Sequence, residues 1–389
     1  MAAPVRIAIV GTGNIARSHA KAIAASPAGA AGAAGAAGAA ALVAAMDVEQ
    51  SRLDPFCAEF GIPAGYRDLT SLLSQARPDL VHICTPPAAH YPVALECLRT
   101  GVSVLTEKPP TISLWEFDDL VAAESAGRRR RGSGSGSGGD GPPWFATVFQ
   151  HRFGAAQRHL KELASSGALG RPLLAICHTT WFRDQAYFDV PWRGRWDTEG
   201  GGPTMGHGIH QMDMLLDILG DWSGVSAIAR TQARTMATED LSLAHVTFTN
   251  GAVASVVNSV LSPREESYLR FDFERATVEV THLYGYTDDD WRITPAPGVD
   301  EAEVTAAWKH AGDAGEAGGR TGHAAQVAEV LAALRAGRRP PVAPPEARRT
   351  MALIAGIYAA AATRRPVTPA DLAPGSAFYT EMNGGHQEW

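Results

Sequence analysis

The sequence is poor in the residues that cross-link a fold, anchor it in a bilayer or bind a polyanion. Its 389 residues hold four cysteines, Cys57, Cys84, Cys97 and Cys177, and none stands in a C-x-x-C pair. That spacing leads us to expect neither a structural zinc site nor a disulfide framework, and it fits a reducing, cytoplasmic setting. Acidic residues outnumber basic ones 41 to 34, so a net charge of −7 offers no basic surplus for a nucleic acid. One stretch, Ala28 to Met46, carries no charge, but it is mostly Ala and Gly, which bury little apolar area. We read it as a surface insertion and expect no membrane span. Its Gly-Ala-Ala repetition also lacks the prolines of a collagen helix. No signal peptide is expected either, because Val5 to Val10 runs straight into glycines without a charged leader or cleavage site.

The chain is too long for one core, since single cores stop growing at about 250 to 300 residues. Two domains are expected, 1–147 and 148–389, with insertions near 28–41 and 127–143. The first half alternates short apolar runs with amphipathic stretches, the pattern of a parallel sheet covered by helices. Strands are expected at Val5 to Val10, Leu42 to Met46, Leu80 to Thr85, Val102 to Thr106 and Trp144 to Gln150. Helices are expected at Ala16 to Ser26, Asp54 to Phe60 and Pro92 to Thr100, and Ser113 to Glu116 has the spacing of a capping box. Arg128 to Gly141 reads as a basic, then Gly/Ser-rich connector. The second half has a different texture. A helix over Thr204 to Leu219 precedes longer alternating strands, and Asn250-Gly251 between Leu243 to Thr249 and Ala252 to Val260 is a hairpin signal. Tyr268 to Glu274 and Thr277 to His282 suggest a second hairpin, so this half is α+β with a mostly antiparallel sheet. Two late helices, Ala324 to Ala336 and Ala347 to Thr363, follow a further Gly-rich loop.

Chemistry gathers at the strand ends. Gly11-Thr12-Gly13-Asn14-Ile15-Ala16 follows a strand and opens a helix, so its glycines let backbone approach a pyrophosphate that the helix N-terminus stabilises. This predicts dinucleotide binding by Gly11, Gly13, Asn14 and Ile15. Asp47 ends the second strand, where a carboxylate binds both ribose hydroxyls of NAD. Its separation from Gly11 is stretched by the Ala/Gly insertion. Arg52 nearby keeps NADP open. Thr85 and Pro86 are candidate contacts to the nicotinamide ribose, with His90 either a contact or a helix cap. Glu107-Lys108-Pro109 sets a lysine at a strand end beside a rigid turn, where burial and a neighbouring cofactor can lower its pKa and Glu107 can position it.

The ordered set resembles the Gfo/Idh/MocA family, named for glucose-fructose oxidoreductase, inositol dehydrogenase and a rhizopine catabolism protein. The set comprises Gly11-x-Gly13-x-x-Ala16, Thr85-Pro86-Pro87-x-x-His90, Glu107-Lys108-Pro109, Gln150-His151-Arg152-Phe153, and Gly200-Gly201-Gly202 leading to Gly208-Ile209-His210-x-x-Asp213. The resemblance implies a Rossmann domain followed by a domain with a large open-faced sheet that is often used for dimer contacts, hence a homodimer or homotetramer. It also implies hydride transfer between NAD, or NADP, and a sugar, cyclitol or related polyol. Lys108 matches the family's catalytic lysine and His210 its substrate-facing histidine.

The sequence departs from the family where many members carry Asp or Asn four residues before that histidine. Here the position is Gly206, and His207 follows it. His207 and His210 share a face of the expected helix, so His207 is a candidate replacement donor. His207, His210 and Asp213 could also be read as metal ligands, but no fourth ligand is evident and no metal is assigned. Asp213 is read instead as orienting His210 or capping backbone. Trp181-Phe182-Arg183 to Trp192-Arg193-Gly194-Arg195-Trp196 combines ring faces and guanidinium groups suited to a sugar or to an interface. Two other functions stay open: a glycoside hydrolase or lyase that retains NAD and oxidises the sugar transiently, and a non-enzymatic cofactor sensor.

Overall fold

A computed structural model describes residues 4–26, 40–131, 142–309 and 321–386. The Ala/Gly insertion up to residue 39, the Gly/Ser connector from 132 to 141 and the late Gly-rich loop within 310–320 lie outside the described residues. The chain forms two compact units.

The first unit is built on six strands: β1 Val5–Val10, β2 Ala40–Met46, β3 Gly65–Tyr66, β4 Leu80–Ile83, β5 Ser103–Thr106 and β6 Phe145–Thr147. Every pairing is parallel, in the order β3-β2-β1-β4-β5-β6. β4, β5 and β6 are buried along their whole length, which explains why they read as continuous apolar runs. The strand order reverses between β1 and β4, where open parallel sheets bind ligands at the carboxyl edge. Helices fall where periodicity puts them, with earlier starts. Asn14–Ala25 buries Ala16, Ala20 and Ile23. Gln50–Phe60 buries Leu53 and Phe56 and stops at Gly61, whose φ is +62°. His90–Thr100 stops at Gly101 with φ +86°.

One helix belongs elsewhere than the sequence suggested. His323–Arg335 clusters with the first unit, although it was expected in the second half. Val327, Val330 and Leu331 join the core formed by Ile7, Ile9, Ala20 and Ile23. Amphipathic spacing marks a face to be buried without saying which core receives it.

The second unit holds seven strands: β7 Pro172–Phe182, β8 Trp222–Arg230, β9 Leu241–Phe248, β10 Val253–Ser259, β11 Leu261–Phe273, β12 Ala276–His282 and β13 Trp291–Pro295. They lie in the order β13-β12-β11-β7-β10-β9-β8, and all neighbours are antiparallel except β7 and β10. Asn250-Gly251 does turn β9 into β10, with Gly251 at φ +89°. β8 was not foreseen, because its Ser, Gly and Ala residues dilute the strand signature. On one face of this sheet the register aligns Ile228 with Leu243, and Val253 with Leu174, and all four are exposed.

The expected helix over Thr204 to Leu219 is two helices, Pro203–Gly206 and Ile209–Leu219. At the junction only glycine fits, since a Cβ on Gly208 would lie 1.9 Å from Asn258 Oδ1 on β10. His207 sits in the break, so it does not share a continuous helix with His210.

Because Leu331 is fully buried in the first unit's core, Leu331→Ala is expected to cost about 2 to 5 kcal/mol. Urea unfolding followed through the first unit checks this, and an unchanged midpoint would remove the helix from that core.

Candidate functional site

β1 delivers the chain to Gly11, which has φ +86° and donates its N–H to Met46 O on β2 at 2.8 Å. A Cβ here would stand 2.8 Å from the Cys84 carbonyl and the Thr85 nitrogen, so two backbones meet where a side chain would be. Gly13 is different: a Cβ there would meet nothing within 4 Å. Gly13 caps the helix Asn14–Ala25, which has no side-chain cap and no acid in its first turn. That leaves N–H groups and the positive end of the helix facing open space, a fit for a dinucleotide phosphate. Asn14 and Ile15 are exposed at the same turn. Asp47 ends β2 with its carboxylate turned to the glycine turn. Oδ2 accepts from Thr12 N at 2.8 Å and Thr12 Oγ1 at 2.9 Å, and Oδ1 accepts from Glu49 N at 2.9 Å. Arg52 is exposed on the following helix.

Thr85 and Pro86 follow β4, and Glu107 and Lys108 follow β5, on the same carboxyl edge. His90 is buried, with Nδ1 2.7 Å from Pro109 O and Nε2 2.8 Å from Thr85 O. Its polar atoms are therefore used in tying two loops together. Burial lowers its pKa, so at neutral pH the ring donates to one carbonyl at a time.

Glu107 is almost wholly buried. Its Oε1 lies 2.9 Å from His19 Nε2 and 2.9 Å from His323 Nε2, while Oε2 accepts from Lys108 N at 3.1 Å. His19 Nδ1 in turn lies 2.8 Å from His82 Nδ1. Burial by itself would raise the Glu107 pKa, but the N–H groups that His19 and His323 turn to its oxygen hold it well below the usual carboxylate range. Among the described residues His19, Glu107 and His323 are the one trio whose ligand atoms lie close enough for a shared metal ion, within 4.8 Å. Local sequence does not show this grouping, because its members are scattered from residue 19 to residue 323.

In the second unit His210 is buried and stacks on His151, with ring centroids 4.6 Å apart. His151 meets the edge of His282 at 5.4 Å, and Gln211 Nε2 lies 2.9 Å from His282 Nε2. Burial pulls the His282 pKa down to about 4. Asp213 does not orient His210 as expected: its carboxylate takes two N–H groups of Arg152 and the Thr350 hydroxyl at 3.1 Å. His207, His210 and Asp213 do not form a metal-binding group among the described residues.

His207 faces a separate wall. Tyr187 Oη is 3.3 Å from its Nε2, and Trp181 meets it edge-on at 5.1 Å. Arg193 lies 3.9 Å over the Tyr187 ring and 3.1 Å from Glu199 Oε1. Sequence reading missed Glu199. It is buried, accepts from Gly194 N at 2.6 Å, and holds Oε1 3.5 Å from where a Cβ on Gly206 would be. Its one visible signal was its position directly before Gly200-Gly201-Gly202.

Sequence comparison agrees with this architecture. Residues 5–131 match the Gfo/Idh/MocA model described as an oxidoreductase family with an NAD-binding Rossmann fold, and residues 157–281 match the C-terminal domain of the same family. The chain belongs to the Gfo/Idh/MocA oxidoreductases. Its first unit is an NAD-binding Rossmann domain. It is 25% identical to a D-glucoside 3-dehydrogenase of Escherichia coli over 313 residues, which are 75% of this chain and 81% of the relative. It is 24% identical to a D-apiose dehydrogenase of Paraburkholderia graminis, covering 88% and 87% of the two chains. Among solved structures, the WlbA dehydrogenase from Bordetella pertussis, in complex with NADH and UDP-GlcNAcA, is 25% identical with a TM-score of 0.77, over 94% of this chain and 98% of that one. No helix among the described residues is long and apolar enough to cross a membrane.

The two glycines should respond differently to a methyl group. Gly11→Ala is expected to lower the thermal midpoint, since both φ and space forbid it. Gly13→Ala should keep the midpoint and weaken NADH binding by about tenfold, roughly 1.4 kcal/mol, as read by NADH fluorescence. Native affinity in Gly13→Ala would remove the turn from the cofactor site.

Proposed function

We propose that this oxidoreductase oxidises a secondary alcohol of a sugar, cyclitol or related polyol with NAD, and runs the reverse reduction. The observation that carries the reading is the open, uncapped helix start at Gly13 beside Asp47, on the same sheet edge as Lys108. When bound, the nicotinamide takes the hydride that leaves the carbinol carbon. Gly11, Gly13, Asn14 and Ile15 hold the pyrophosphate, Asp47 the adenine-side ribose, and Thr85 and Pro86 the nicotinamide ribose. Asp47 favours NAD by repelling a 2'-phosphate, and Arg52 is the group through which NADP could bind. His90 and Glu107 brace the loops around them.

By the family's pattern His210 is the base that takes the hydroxyl proton as the carbonyl forms, and Lys108 the group that polarises or relays it. The substrate class rests on relatives named for D-glucosides and D-apiose, and on the walls formed by Trp181, Tyr187 and Arg193. Ring faces suit the C–H faces of a sugar and guanidinium N–H groups suit its hydroxyls. In this reading the rearranged acid is Glu199, which reaches His207 through Arg193 and Tyr187. These relatives favour net hydride transfer over cleavage of a glycosidic bond with retained NAD.

The nucleotide half is 1–147 completed by the helix His323–Arg335, and the remainder of 148–389 carries substrate and subunit contacts. The exposed apolar residues Ile228, Leu243, Val253 and Leu174 support a homodimer or homotetramer through the open sheet face. Unpaired cysteines support a reducing, cytoplasmic setting.

Lys108→Ala and His210→Ala should each lose about 100-fold or more in kcat with NADH affinity preserved. A screen of D-glucosides, aldoses and inositols with NAD and NADP, followed at the nicotinamide absorbance, supplies the assay. Full turnover in Lys108→Ala would overturn the assignment, and bond cleavage without net cofactor turnover would favour the hydrolase reading. For the subunit contacts, Leu243→Arg should shift the species seen by light scattering toward the monomer.

A further inference from the structure

Four polar side chains meet inside the core of the first unit. His19 stands on the buried face of Asn14–Ala25, His82 inside β4, Glu107 after β5, and His323 at the start of His323–Arg335. The same helices and strands carry apolar core residues, among them Ala16, Ile23, Leu105 and Val327. A buried carboxylate lodged among imidazoles adds no stability that well-packed apolar side chains could not match, and such replacements are often neutral or stabilising. The cluster therefore calls for a reason other than holding the fold together.

Its hydrogen bonds point to one. With Glu107 ionised, both Nε2 atoms facing Oε1 carry protons, and His19, neutral in the core, keeps a lone pair on Nδ1 to accept from His82 Nδ1–H. This assignment leaves His82 Nε2 a bare acceptor with no partner. A metal on the same three ligands would reverse the chain, since His19 would then donate to His82. His82 Nε2 would become a buried N–H with no acceptor, and orphaned donors are the rarer and costlier kind. The other carboxylate oxygen receives the N–H of Lys108. Glu107 thus ties two helices to the peptide that carries the lysine.

We infer that His323 is a positioning residue for Lys108, acting through the shared carboxylate of Glu107 together with His19. The inference rests on the proposed role of Lys108. His323 is the member that reaches toward solvent, with 15% of its side chain exposed, so it can be replaced without opening the middle of the core.

The test reads Lys108 directly. The chain has four lysines, Lys21, Lys108, Lys161 and Lys309. Reductive methylation with carbon-13 gives each a methyl resonance, and Lys108→Arg identifies the one of interest. In His323→Leu the Lys108 resonance and its titration should move while those of Lys21 and Lys161 stay. In His323→Gln, which keeps a donor at similar reach, the signal should return toward native. Turnover on a substrate from the screen should fall by about 100-fold in His323→Leu, with NADH affinity kept, and recover in His323→Gln. If His323→Leu folds poorly, His323→Asn, polar but too short to reach Glu107, takes its place. An unmoved Lys108 signal would overturn the inference, as would a stoichiometric metal whose chelation reproduces the His323→Leu signature. A signal that moves as expected while Lys108→Ala keeps full turnover would refute the role of Lys108 and leave the positioning contact standing.

Discussion

Three strand ends converge on residue 11, and only a chain without a side chain can pass there. Gly11 bonds to β2 through Met46 and lies against the end of β4 at Cys84 and Thr85. Its positive φ turns the backbone so that Gly13 opens the helix Asn14–Ala25 with its N-terminus bare. Asp47 then finds Thr12 within hydrogen-bond reach, because β2 ends level with the turn. Remove the close approach and the strand-order switch loses its shape, and with it the uncapped helix start at Gly13.

Buried carboxylates find several kinds of partner. In the first unit, Glu124 pairs directly with Arg339, while Glu107 is shared by two imidazoles and a peptide N–H, all belonging to the segment that carries Lys108 or to helices packed on the sheet. In the second, Arg152 gathers Asp213 and Asp217, a direct pairing of opposite charge. Glu239 has neither: it accepts from Gly202 N, Thr204 N and the Tyr358 hydroxyl, and burial pushes its pKa up to about 7. Neutral donors satisfy its oxygens without offsetting its charge, so it gains a proton more readily than a surface carboxylate.

The parts of this architecture written in local sequence were legible. Gly11 and Gly13 follow an apolar run, Asn250-Gly251 separates two alternating runs, and Gly61 and Gly101 end helices. What depends on partners distant in the chain was not. Nothing local to Thr204 to Leu219 reveals that Gly208 lies against Asn258 on another strand. Nothing in Val327 to Leu331 says that they complete a core begun at Ile7. His19 looks like a polar interruption of an amphipathic helix until Glu107 and His323 are seen beside it. A polar residue on a buried helical face is the sequence-level sign that such a partner exists, though not of which residue it is.

Gly206 and Glu199 set a glycine and a buried carboxylate side by side next to His207. The glycine is not demanded by space, since a Cβ at 206 would have ordinary clearance of 3.5 Å from Glu199 Oε1. What the place does not tolerate is a second acid. A carboxylate on residue 206 would face that of Glu199 in a buried setting, and two like charges at such range in low dielectric cannot both stay ionised. Glu199 already has Arg193 and Gly194 N as donors, so its two oxygens are both engaged.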